Sequence, residues 1–202
     1  LHATLVANTL FTPQGIALGL FSAASLLGLL VAVLAIITSL LRPVAVVTVA
    51  AYPSAFLLLV LSVLLQDRYT PRHFDTGIGV HIVLSLLAYA VLAMATVHAL
   101  LLAMQNRHFR AHRIGGLLRV LPPIQTMEAI LFELVAAGFA LLTLAIVAGF
   151  LYVDDFLAQH LAHKTVLTLA GWLALGVLLA GHRWAGWRGR TAVRWTVAAF
   201  ML

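Results

Sequence analysis

A chain of 202 residues that is 63% hydrophobic and 9% charged cannot bury its apolar surface in a water-soluble domain, so its solvent is a bilayer. It has no cysteine, which excludes disulfides and thiolate metal sites. A net charge of +6 would suggest nucleic acid in a soluble protein, but these basic residues stand in short connections between apolar runs and report topology instead.

In chain order, residues 1–11 read as the end of one membrane helix, carrying His2 and Asn8 and stopped by Pro13. Residues 15–41 form a long apolar run closed by Arg42 and Pro43. The next run, 44–65, contains Pro53, tolerable in a membrane helix because neighbours re-satisfy the freed carbonyl. After a polar connection at 66–77, residues 78–105 read as a helix carrying His81, Ser85, Tyr89 and His98. A basic connection, 106–123, ends in Leu-Pro-Pro and starts a helix at 124–153 with Glu128 and Glu133 in its first turns. Residues 154–163 are expected to be an acidic, histidine-bearing loop. The apolar run 165–181 then reaches His182, with a last helix from Thr191. From Thr165 to His182 is roughly 25 Å of helix, nearly a bilayer core. Gly171, Leu175, Leu178 and His182 share one of its faces, fit either for a flat apolar ligand or for a neighbouring helix.

These runs predict an all-α, polytopic membrane helix bundle, a single transmembrane domain over 1–202 with about five complete spans and a partial span at each end. The chain begins at Leu1 and stops at Leu202 inside apolar runs, so pieces are expected to be missing at both ends, with no signal peptide to interpret. Arg42, the group Arg107, Arg110, Arg113 and Arg119, and the group Arg183, Arg188, Arg190 and Arg194 fall on alternate connections. Positive-inside reasoning places them in the cytoplasm, with the helices alternating without conflict. His73, His81, His160 and His163 then face outward, and His98, Glu128 and His182 lie towards the inner side.

Ionisable groups inside spans are costly, and here they are His2, His81, His98, Glu128 and Glu133, with His182 at the margin. Neutral imidazole is the cheapest of these to bury and suits an axial bond to haem iron. The plain alternative for an isolated histidine such as His98 is a hydrogen-bonded packing residue. Trp184 and Trp187 are most simply interfacial anchors. Glu128 is expected to be solvated or to pair near the inner surface, and Glu133 to pair or be protonated. His81, Ser85 and Tyr89 recur every four residues, a polar stripe that implies a cavity or a polar partner. By residue type, His73, His81, His160 and His163 beside Asp154 and Asp155 form an outer cluster suited to a divalent metal such as zinc, at loose spacing.

Four ordered segments carry a resemblance: VHIVLSLLAYAVL at 80–92, LPPIQTMEAILF at 121–132, GFALLTLAIVAGFLY at 138–152 and GHRWAGWRGR at 181–190. Through them the chain resembles the polytopic membrane proteins of cytochrome c assembly, the haem-handling CcsA/CcmC superfamily, most closely its HemX/YpjD-like branch. The resemblance implies a bundle that binds b-type haem non-covalently and is able to move it across the membrane. Its partners would be haem, lipid and other proteins of cytochrome c assembly or tetrapyrrole synthesis, and it would have no catalytic residues of its own. His182 matches the family's in-membrane histidine before the GWxG segment, His2 its partner on an earlier helix, and His81 the first outer-face histidine. The family's Trp-rich haem-cradling segment would fall between Tyr152 and Trp172, where this sequence has no Trp. Two other readings remain open: a regulatory or scaffolding protein of tetrapyrrole metabolism working through its Arg loops, and a small-ion or metal transporter using Glu133, His98 and the outer histidines.

Overall fold

The computed structural model describes residues 2–12, 15–16, 19–41, 46–65, 75–110, 122–152 and 159–202. The elements are α1 (His2–Leu10), β1 (Phe11–Thr12), β2 (Gly15–Ile16), α2 (Leu20–Leu41), α3 (Val46–Leu64), α4 (Thr76–Arg110), α5 (Ile124–Tyr152), α6 (Gln159–Ala185) and α7 (Arg190–Met201). The two short strands form one antiparallel ladder pairing Phe11 with Ile16. Four stretches are long and apolar enough to cross a bilayer: Leu20–Leu40, Thr76–His108, Ile124–Tyr152 and Ala162–Ala185. A shorter apolar stretch, Ala51–Leu64, follows in α3. This is the expected all-α polytopic bundle, with α1 and α7 as its shorter outer elements.

Three boundaries differ from those read in the sequence. α2 starts at Leu20 rather than at residue 15, because Gly15 and Gly19 are poor helix formers and Gly15 pairs in the ladder. α4 continues past Gln105 to Arg110, since the intervening polar residues are compatible with helix and extend its head towards water. α6 begins at Gln159, so 159–163 are helical where a loop was expected; QHLAHK contains neither Gly nor Pro to stop the turn.

α4 is the hub, packing most extensively on α5 and also meeting α2, α3 and α7, while α6 rests on α5 and α7. Lipid offers little hydrophobic drive between helices, so close packing must hold them together. Small residues supply it: Ala88, Ala95 and Ala99 of α4 are fully buried, and Gly138 of α5 receives Leu92 of α4. Met94, Leu102, Met127, Leu131 and Val135 fill the rest of that core. Leu144, Phe150, Leu151, Val166 and Leu173 are exposed, as lipid-facing side chains should be. Hydroxyls within the spans bond back to their own helix, Thr38 to the Leu34 carbonyl, Thr96 to Leu92 and Thr143 to Phe139, so none of these is left unpaired in hydrocarbon.

Side-chain bonds fix which ends lie together. Gln105 Nε2 donates to the Pro122 carbonyl at 2.8 Å, and the Gly189 amide donates to Glu128 Oε1 at 2.8 Å. The end of α4, the start of α5 and the α6–α7 turn therefore share one end of the bundle. His81, Ala145 and Lys164 meet near the other. Helices α4, α5 and α6 alternate, as the loop charges required.

Candidate functional site

The polar stripe on α4 lines a cavity. His81, Ser85 and Tyr89 face Leu142, Ala145 and Ile146 of α5 and Lys164, Thr165, Thr168 and Leu169 of α6 around about 300 Å³. The α6 wall was not foreseen, because those residues were assigned to a loop edge and to a featureless apolar run. Its threonines do recur at a spacing of three, which was the available signal. His81 Nδ1 donates to the Ala145 carbonyl at 2.8 Å. A carbonyl only accepts, so Nδ1 is the donor and Nε2 is the ring nitrogen left uncommitted by this bond.

His182 donates through the same ring nitrogen by a different device. Its Nδ1 donates to the Trp187 carbonyl at 2.9 Å, and its ring stacks on Phe132 of α5 with centroids 3.5 Å apart and planes 14° apart. The backbone can make this bond because the α6–α7 turn passes through positive φ at Gly186 (67°) and Gly189 (54°). The Trp187 amide returns to the Gly181 carbonyl at 3.1 Å, and the Trp187 indole lies where a Cβ at residue 181 would stand. Trp187 also stacks on Trp195 of α7, with centroids 5.6 Å apart. Glu128 then ties α5 to this turn through Gly189. GHRWAGWRGR is thus a clamp joining α5, α6 and α7, and Trp187 is packed within it while Trp184 is 86% exposed. Glu128→Ala should lower stability by about 1–2 kcal/mol, whereas Glu128→Gln, which keeps an acceptor, should cost less than half of that in a denaturant titration.

The apolar face of α6 that runs into His182 is closed by protein. Gly171 abuts the Ala199 carbonyl of α7, and Leu175 and Leu178 are buried in the core. Of the two uses open to that face, packing on a helix is the one adopted.

His2 is engaged elsewhere. Its Nε2 lies 3.2 Å from both the carbonyl and the hydroxyl of Ser25 on α2. A bond to that carbonyl requires the proton on Nε2, the other ring nitrogen from the one that donates at His81 and His182. Neither His2 nor His182 lines the cavity around His81. His98 is a packing residue, wholly buried, with Nδ1 donating to the Met94 carbonyl at 3.0 Å and with Nε2 unpartnered among the described residues. Glu133 stands on the exposed side of α5 and is engaged by a neighbour. Of the outer cluster, His73, Asp154, Asp155 and the His160 side chain lie outside the described residues, and His163 is exposed. Among the described residues no three of His, Asp or Glu gather as a metal site.

The profile of the family described as Cytochrome C assembly protein matches residues 9–202. The chain belongs to the cytochrome c assembly protein family. It is 32% identical over 152 residues, 75% of this chain and 57% of the relative, to Inner membrane protein YpjD of Escherichia coli strain K12. The YpjD of Escherichia coli O157:H7 matches to the same extent. It is 35% identical over 127 residues, 62% of this chain and 47% of the relative, to an uncharacterized 28.8 kDa protein in the nifR3-like 5' region of Azospirillum brasilense. The chain thus spans about half the length of these relatives. No solved structure matches it significantly. As a cytochrome c assembly family member it is a polytopic membrane protein of the YpjD-like branch, and a relative bears the name of an inner membrane protein.

Proposed function

We propose that this chain binds b-type haem non-covalently in a bacterial inner membrane, as part of a haem-handling and haem-translocating protein of cytochrome c assembly. Its arginine-rich end faces the cytoplasm by the positive-inside rule. The observation that carries the reading is the bond from His182 Nδ1 to the Trp187 carbonyl, which orients the ring and leaves Nε2 as the nitrogen available to an iron atom. His81 is prepared in the same way by the Ala145 carbonyl, beside a cavity at the small end of the ligand-site range. His182 would be one residue to hold the iron. His2 would be the other, once it released Ser25 and freed its Nε2. His81 belongs to the opposite end, where its cavity receives or releases the cofactor.

Bound haem supplies the iron and its redox chemistry. The chain's part is to orient His81 and His182 through Nδ1, to exclude water with the packed faces of α4 and α5, and to offer Ser85, Tyr89 and Lys164 as polar partners at the cavity. Partners on the cytochrome c assembly or tetrapyrrole pathway fit the same reading. The test is a haemin titration of the purified protein in detergent, followed by absorption. The wild type should saturate with a sharp Soret band, and His182→Ala should not. A wild type whose Soret band stays that of free haemin would overturn the reading.

A further inference from the structure

At the arginine-rich end a second cavity, about 340 Å³, opens between the last turns of α4 and the first turn of α7. Its walls are Ala103, Asn106 and Arg107 of α4 and Arg190, Val193 and Arg194 of α7. Arg190 and Arg194 are one turn apart on a single helix face, and Arg107 approaches from the other helix.

Cations outnumber carboxylates here. The sequence has six carboxylates, and four of them, Asp67, Asp75, Asp154 and Asp155, fall in the two other connections. That leaves the two on α5. Glu128 is committed to the Gly189 amide. The connection at 111–121 adds Arg113 and Arg119 and no acid. The first turn of α7 adds backbone amides, and its N-cap Gly189 offers no side-chain acceptor to them. Planar guanidinium groups with an amide donor around one small space match the oxygens of a phosphate.

The α4 wall of the cavity continues into apolar surface. Met104 (45% exposed) and Leu100 (51% exposed) lie one and two turns from Arg107 on the same side of the helix. Ala103 and Val193 make the cavity's own apolar wall. A phosphate held by the arginines would therefore have a path for attached acyl chains along α4 towards the bilayer core.

We propose that this cavity binds the phosphate headgroup of an anionic phospholipid, with its chains laid along Leu100 and Met104. The cation cluster is then completed by lipid. The assignment is separable from haem binding, because it shares no residue with the cavity of His81 and meets the clamp of His182 only at its last residue, Arg190.

The test uses the full chain, purified and delipidated in a neutral detergent, with bound lipid counted by native mass spectrometry. Phosphatidylglycerol should be retained at one molecule per chain, phosphatidylcholine should not, and excess inorganic phosphate should not displace it. Arg107→Gln, Arg190→Gln and Arg194→Gln should each weaken retention by roughly tenfold, the loss expected for one charge-assisted bond. Arg188→Gln, which alters an exposed arginine outside the cavity, should leave it unchanged. If a glutamine variant fails to fold, the corresponding lysine variant replaces it and should give an intermediate loss. Equal retention by wild type and variants, equal retention of phosphatidylcholine, or displacement by free phosphate would each overturn the proposal.

Discussion

Gly138→Leu should be the most destabilising single substitution in the bundle, at about 3 kcal/mol in a denaturant titration of the detergent-solubilised protein. Gly138 lies on the interface between α4 and α5, the most extensive contact in the fold. A Cβ there would stand 2.5 Å from Cδ2 and 2.7 Å from Cγ of Leu92. Leu92 has little freedom to give way, because it is 5% exposed and surrounded by the core of α4 and α5. Alanine asks Leu92 to shift by a fraction of its length, while leucine asks the two helices to part. Gly138→Ala should therefore cost well under half as much as Gly138→Leu. Leu92→Ala should recover part of the stability lost in Gly138→Leu, since the two side chains compete for one space.

His182→Ala should have the second large effect, on two quantities at once. It removes a face-to-face ring contact with Phe132 and the bond to the Trp187 carbonyl, which together should lower stability by about 2 kcal/mol. It should also abolish haem uptake. A variant that disturbs the clamp without touching the ligand separates the two. Trp187→Leu keeps the backbone carbonyl that orients His182 but loses the packing on Gly181 and the stack on Trp195. It should lose stability comparable to His182→Ala and still take up haemin with the spectrum of the wild type. If both variants lose haem in proportion to stability, the imidazole acts only through the fold.

Much of this architecture was legible in the residues. Runs of Leu, Ala and Val give spans whatever their partners, and arginines on alternate connections predict the alternation that Gln105, Glu128 and His81 confirm by what they bond. The stripe of His81, Ser85 and Tyr89 was readable as a cavity wall because polar groups in a span must face something polar. Its far wall was harder to see. Helix α6 begins before Lys164, and no signal distinguished a helical QHLAHK from a loop of the same composition. The clamp at His182 adds to the plain reading of Trp187 as an interfacial anchor a packing role that the residues do not signal. Only the positive φ of Gly186 and Gly189 turns that indole back onto Gly181, and dihedral choice at a glycine is not written in its neighbours. The ring nitrogens that His2, His81 and His182 commit to bonds were equally hidden, because each depends on a carbonyl or hydroxyl far away in sequence or across a turn.

Electron paramagnetic resonance of the ferric, haemin-loaded protein reads the axial ligands directly. A low-spin signal of two imidazoles in the wild type, converted to a high-spin signal or lost in His182→Ala, is the result expected if His182 Nε2 binds iron. An identical low-spin spectrum in wild type and His182→Ala would contradict it.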